Sequence, residues 1–188
     1  EELMDLENRA GKSGGGFCTS FPSLERPYIF ANFNGTDHDV TVLTHEAGHA
    51  FQGYQSRKQP LNRYLWPTYE ACEIHSMSME FLTWDWMHLF FKEDTDKFLF
   101  KHIAGSLAFL PYGALVDHFQ HWVYENPKAT PKERKTQWLE LEKIYQPGKK
   151  YDNLKFLKNG GFWQKQAHIY EMPFYYIDYT LAQVCAFQ

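Results

Sequence analysis

Cysteine is scarce in this chain: three residues in 188, Cys18, Cys72 and Cys185, with no CxxC pair among them. The odd count and wide spacing argue against a disulfide framework and point to a reducing compartment, so a cytoplasmic location is expected. Positive charge is not in surplus either. Lys plus Arg number 19 against 23 Asp plus Glu, a net of −4, which leaves nothing to neutralise a phosphate backbone. Nucleic acid is therefore not an expected partner. The most apolar run, 108–116, is broken by Pro111 and falls well short of the roughly 20 residues that cross a bilayer. With a mean hydropathy of −0.55 and no signal peptide at the start, no membrane partner is expected. Internal repeats are absent. The one Gly-rich stretch, 11–16, carries its glycines after Lys12-Ser13 instead of before them, which is not the order of a phosphate-binding loop.

What is abundant is aromatic surface. The chain has 16 Phe, 12 Tyr and 6 Trp, within an otherwise ordinary globular composition of 44% hydrophobic and 22% charged residues. It opens on Glu1-Glu2-Leu3 without an initiator Met and ends inside the apolar stretch 179–187. These features fit a segment of a longer polypeptide cut at both ends. Apolar surface left by the missing parts would allow self-association, and the oligomeric state stays open.

Alternation in 27–34 (PYIFANFN) sets Tyr28, Phe30 and Asn32 against Ile29, Ala31 and Phe33 and predicts a strand, turned by Asn34-Gly35. Asp37 or Asp39 can cap a helix over 38–56, with Leu43, Ala47, Ala50, Phe51 and Tyr54 at helical spacing. A second helix is expected from Pro67 towards Lys92. Two helical stretches should flank Pro111, and Pro173 should start the last helix. Thr130-Pro131-Lys132-Glu133 is a capping box opening a helix that ends before Pro147-Gly148. The class is mainly α with a small β element at about 27–34.

The informative residues are His45-Glu46-Ala47-Gly48-His49. Positions i and i+4 share one helix face, so both imidazoles can reach a single metal ion. Glu46 is turned about 100° from His45, beside the place where a bound water would sit. A catalytic zinc needs three protein ligands and an open fourth position. His75 and His88 are available as the third, but Glu73, Ser76, Met77 and Glu80 form one continuous helix face. Glu73 lies 28 residues after His45, room for a loop and a returning helix. Glu73 is read as the ligand and Glu80 as the carboxylate that orients a ligand histidine, against the alternative of a solvated charge. Asp117-His118-x-x-His121 is a second histidine cluster, read as ordinary surface or core-edge residues. Hydrolysis of an amide also needs a donor for the developing oxyanion. Tyr176 and Tyr179, spaced i, i+3 near His168, supply hydroxyls, unless that stretch is simply an aromatic core helix.

HEAGHAFQ, EIHSMSMEFL and HIYEMPFYYIDYTLAQ, with GGGFCTS, PYIFANFNGT and PYGALVDHFQHWVYENP, cover nearly the whole chain. Together they resemble the zinc oligopeptidases of the thimet oligopeptidase and oligoendopeptidase F family, the oligoendopeptidase F branch more closely. The resemblance implies a zincin-type helical catalytic core with a deep channel, one zinc ion per chain and endopeptidase action on short peptides. In that reading 1–188 is a single segment of a metallopeptidase catalytic domain. His45, His49 and Glu73 match the zinc ligands, and Glu46 the general base. His168 matches the histidine that contacts substrate or transition state, and Tyr176 and Tyr179 the pair that stabilises the oxyanion. The spacing from His168 is about one residue shorter than in mammalian members, which brings in Tyr175 as a substitute. The strand 28–34 matches the edge strand that pairs with extended substrate, making Tyr28, Phe30, Ala31 and Asn32 substrate-binding candidates. Family members are much longer, so the alternative is a non-catalytic zinc-binding helical fragment that needs its missing lobe for activity.

Overall fold

The computed structural model describes residues 3–188. Two compact units divide the chain: one takes the residues up to Ile103 together with Leu181–Gln188, the other Ala104–Thr180.

In the first unit, strands β1 (Met4–Glu7), β2 (Phe17–Phe21) and β3 (Arg26–Phe33) form a sheet in the order β1-β3-β2. β3 runs parallel to β1 and antiparallel to β2, and Phe30 pairs with Asp5 on one side and Phe17 on the other. The alternation of β3 puts Ile29 and Ala31 in the core, while Phe30 and Asn32 are only partly covered. The expected edge strand is corrected here. β3 is the central strand, because two short strands that the sequence pattern did not announce flank it.

Lys12 clamps this sheet. Its buried ammonium lies within hydrogen-bond reach of the carbonyls of Asp5, Glu7 and Ala31 and of the Asp5 carboxylate. It also sits 4.3 Å over the Phe30 ring. These groups bracket the register shift of β1 between Asp5 and Glu7. Lys12→Met strands several acceptors and is expected to lower the thermal unfolding midpoint by about 5 °C. A melt followed by far-UV circular dichroism tests this, and an unchanged midpoint would contradict the clamp.

Helix α1 (Asp37–Ser56) follows β3 and packs across β2 and β3 and against α2 (Ile74–Leu82). Its N-cap is Thr36 and not an aspartate. Asp39 instead accepts the backbone N–H groups of Asn34, Gly35 and Thr36 at 3.0, 2.7 and 3.2 Å, tying the turn after β3 to the first helical turn. The long helix expected from Pro67 is broken into pieces. Single 3-10 turns precede and follow α2, and the Thr83 hydroxyl bonds back to the carbonyls of Met79 and Glu80 where α2 ends. Helix α3 (His88–Phe91) then stops at Lys92, which adopts φ 48°.

Helix α4 (Thr95–Glu125) passes through Pro111 without a break, where two helices were expected. Proline there removes the hydrogen bond to the carbonyl of Leu107, an exposed residue, and the helix nevertheless continues. The helical stretch Trp84–Glu125 is long and apolar enough, by length and composition, to cross a membrane. Within it Met87, Phe98, Leu115, Val116 and Phe119 are buried in protein.

The second unit centres on Leu115, Val116 and Phe119 of α4 packed with Trp138 and Leu141 of α5 (Pro131–Tyr145), Trp163 and Tyr176. The capping box at Thr130 is in place: Thr130 N–H reaches Glu133 at 2.7 Å, and Glu133 N–H reaches the Thr130 hydroxyl at 3.3 Å. Short helices α6 (Lys155–Lys158) and α7 (His168–Glu171) precede α8 (Ile177–Ala186). The last helix does not start at Pro173. Phe174 adopts φ 64° and donates its N–H to Gln120 Oε1 at 2.9 Å, so the helix is delayed to Ile177.

Candidate metal centre

α1 carries His45 and His49 one turn apart, and Glu73 is the residue that caps α2, which packs against α1. Nε2 of each histidine lies 3.1 Å from Oε2 of Glu73. The three ligand atoms fall within 4.8 Å of one another. Donors held tetrahedrally at about 2.1 Å by one zinc ion stand about 3.4 Å apart, so the set fits that ion. Among the described residues, His45, His49 and Glu73 are the group that meets this geometry. Glu46 is buried beside them, and its Oε2 is a buried oxygen without a hydrogen-bond partner. Such an atom suits a group that must receive a proton.

The outer edges of the candidate residues are held as well. His45 Nδ1 is 2.7 Å from Glu80 Oε1, and His49 Nδ1 is 3.0 Å from His75 Nε2. With each ring neutral and its one proton on Nδ1, both Nε2 lone pairs would be left for a metal. Ser76 donates to Glu73 Oε2 at 2.8 Å. The structure therefore places Glu80 against His45, with its side chain only 10% exposed. His75 backs His49 and does not join the ligand set. His88 is exposed and bonded to the Asp85 carbonyl. His102, which sequence reasoning missed, meets Glu80 Oε2 at 2.8 Å. The available signal was a histidine one turn after Phe98 on an apolar helix face.

Electrostatics follow from these contacts. Burial opposes a charge on His45, but the carboxylates of Glu73 and Glu80 outweigh it and draw its pKa up to about 10. Burial likewise opposes the charge on Glu73 and is overcome by His45 and His49, which hold the carboxyl far below its usual range. Glu46 moves the other way. Burial raises it, and the two histidines offset this only in part. Cys18 is pushed up to about 12 by burial and by Glu46, so its thiol is not a nucleophile at neutral pH.

The other predicted residues lie in the second unit and on the sheet. Gln166 Oε1 accepts the Tyr112 hydroxyl at 3.0 Å, which turns its amide nitrogen to His168 Nδ1 at 2.7 Å. His168 then carries its proton on Nε2, 3.3 Å from the Tyr179 oxygen. Tyr176 packs edge-on against His168 and Tyr179 and belongs to the buried core, with burial raising its pKa to about 12. Tyr175 stacks along the His168 ring. His118 meets the Tyr145 hydroxyl, and His121 pairs with Asp117 at 3.5 Å.

On β3, the substrate candidates have structural occupations. Tyr28 packs on Phe21, and Phe30 stacks on Phe17. The Ala31 carbonyl takes Lys12, and the Asn32 amide donates to the carbonyls of Ser13 and Gly15. The end strand nearest Glu46 is β2. A Cβ added at Gly16, just before it, would stand 3.7 Å from Glu46 Oε1.

The family model for Peptidase family M3 matches residues 1–188. A homolog of oligoendopeptidase F from Borreliella burgdorferi (strain B31) is 26% identical over 96% of this chain, which covers 31% of that protein. A solved structure of Pz peptidase A with an inhibitor is 61% identical and superposes with a TM-score of 0.97 over 100% of this chain and 33% of its own. The chain thus spans about a third of the length of these relatives. A family match over its full length shows that this chain belongs to peptidase family M3.

Proposed function

We propose that the chain is the metal-binding core of a zinc endopeptidase that hydrolyses internal bonds of short peptides in the cytoplasm. The observation that carries this reading is the convergence of His45, His49 and Glu73 beside the buried carboxylate of Glu46. His45, His49 and Glu73 would hold one zinc ion per chain. When bound, zinc polarises the scissile carbonyl and lowers the pKa of a water to about 7. Glu46 accepts the proton of the attacking water and passes it to the leaving amine. Tyr179, Tyr176 and His168 are proposed as donors to the carbonyl oxygen as it gains charge, on the strength of the motif they share with the family. An extended peptide backbone would pair along β2, the end strand beside Glu46.

A second reading rests on length. The chain covers 31% and 33% of its relatives, so it would hold zinc while turnover needs the remaining polypeptide. A quenched peptide of about ten residues separates the two. Cleavage that a zinc chelator abolishes and added zinc restores is the expected result. Zinc binding without cleavage favours the second reading, and cleavage indifferent to chelator contradicts both.

A further inference from the structure

Beyond the ligands and the carboxylate on His45, a buried chain of hydrogen bonds continues outward through residues that take no part in the proposed chemistry. Trp84 Nε1 lies 3.0 Å from His102 Nδ1. An indole nitrogen can only donate, so His102 Nδ1 must accept. The single proton of a neutral His102 is then on Nε2, which points at Glu80 Oε2 at 2.8 Å. Glu80 uses its other oxygen for His45 Nδ1 at 2.7 Å. Each link has one permitted direction, from Trp84 to His102 to Glu80, with His45 donating inward to the same carboxylate. The ring of His102 is also held sterically. Phe98 stacks at 5.8 Å with an interplanar angle of 11°, and Phe81 closes at 4.7 Å. The side chains of His102 and Glu80 are only 6% and 10% exposed, which limits the access of water to this contact.

We infer that His102, its tautomer set by Trp84, is a positioning residue for the metal: it fixes Glu80 so that His45 presents the Nε2 lone pair to the ion. This rests on the reading of His45, His49 and Glu73 as a zinc site. Glu80 without His102 could turn to another donor and let the His45 ring rotate. Removing such an outer partner weakens metal binding about 10–100-fold in comparable sites.

The test is zinc affinity by competition with a chromogenic chelator, on purified wild-type protein and three variants. His102→Leu should bind zinc about 10–100-fold more weakly, and His102→Gln, whose amide can donate to Glu80, should recover to within about threefold. Trp84→Phe should fall between them. Imidazole nitrogen NMR of the wild-type protein should show His102 protonated on Nε2 alone, a readout that needs no variant to fold. The inference is overturned if His102→Leu binds as tightly as wild type, if leucine and glutamine weaken binding equally, or if His102 is doubly protonated. Wild-type protein that binds no zinc would overturn the metal-site reading itself, which is a different result.

Discussion

Gly48→Ala will weaken zinc binding by about 10–100-fold, although alanine is the better helix former. Gly48 stands between the two histidines, where α1 meets α2. A Cβ there would lie 2.6 Å from the Ser76 Cα and 2.7 Å from the His75 carbonyl oxygen. Both are backbone atoms, so no side-chain rotation relieves the clash. Ordinary carbon contacts lie at about 3.5–4.0 Å, and α2 must therefore retreat by roughly 1 Å. Glu73 caps that helix and Glu80 rides on it, so both carboxylates move away from His45 and His49. Metal bonds tolerate only about 0.2 Å. Overpacking of this kind also destabilises by about 1–3 kcal/mol, measurable in urea unfolding. Gly105→Ala is the control. Nothing lies within 4 Å of its added Cβ, and its place inside α4 predicts a gain of about 0.5–1 kcal/mol. Equal zinc affinity in Gly48→Ala and wild type would contradict the close approach of the two helices.

The largest expected effect on chemistry belongs to Glu46→Gln. Glutamine keeps the volume of the side chain and leaves the three ligands untouched, but it cannot take a proton from water. Turnover of a quenched peptide should fall by about 10²–10⁴ while zinc stays bound near one equivalent. Stability should not fall with it, because burial penalises the charge of Glu46 and raises its pKa. Retained turnover would remove Glu46 from its role. Loss of zinc would mean that Glu46 supports the ligands instead of the reaction.

Local rules carried the first half of this site. Two histidines at i, i+4 on a capped helix define a face from sequence alone, and Glu73 and Glu80 followed from the requirement that a returning helix answer that face. The same rules failed where partners are distant or elements are short. β1 and β2 are four and five residues long, too short for alternation to register, and the edge position expected of β3 came from the family resemblance alone. α4 continues through Pro111, which the local rule that proline ends a helix does not announce. His102 lies 22 residues from Glu80, and nothing in their spacing links them. Phe174 shows the limit of reading proline as a helix start. Its positive φ is stabilised by Gln120, 54 residues earlier.

Zinc content per chain, by mass spectrometry after dialysis against chelator-free buffer, tests the central claim most directly. Wild-type protein should carry about one zinc, and Glu73→Ala should carry essentially none under the same dialysis. Wild-type protein that takes up no zinc when supplied with it, or Glu73→Ala that keeps a full equivalent, would contradict the assignment of His45, His49 and Glu73 as the metal site.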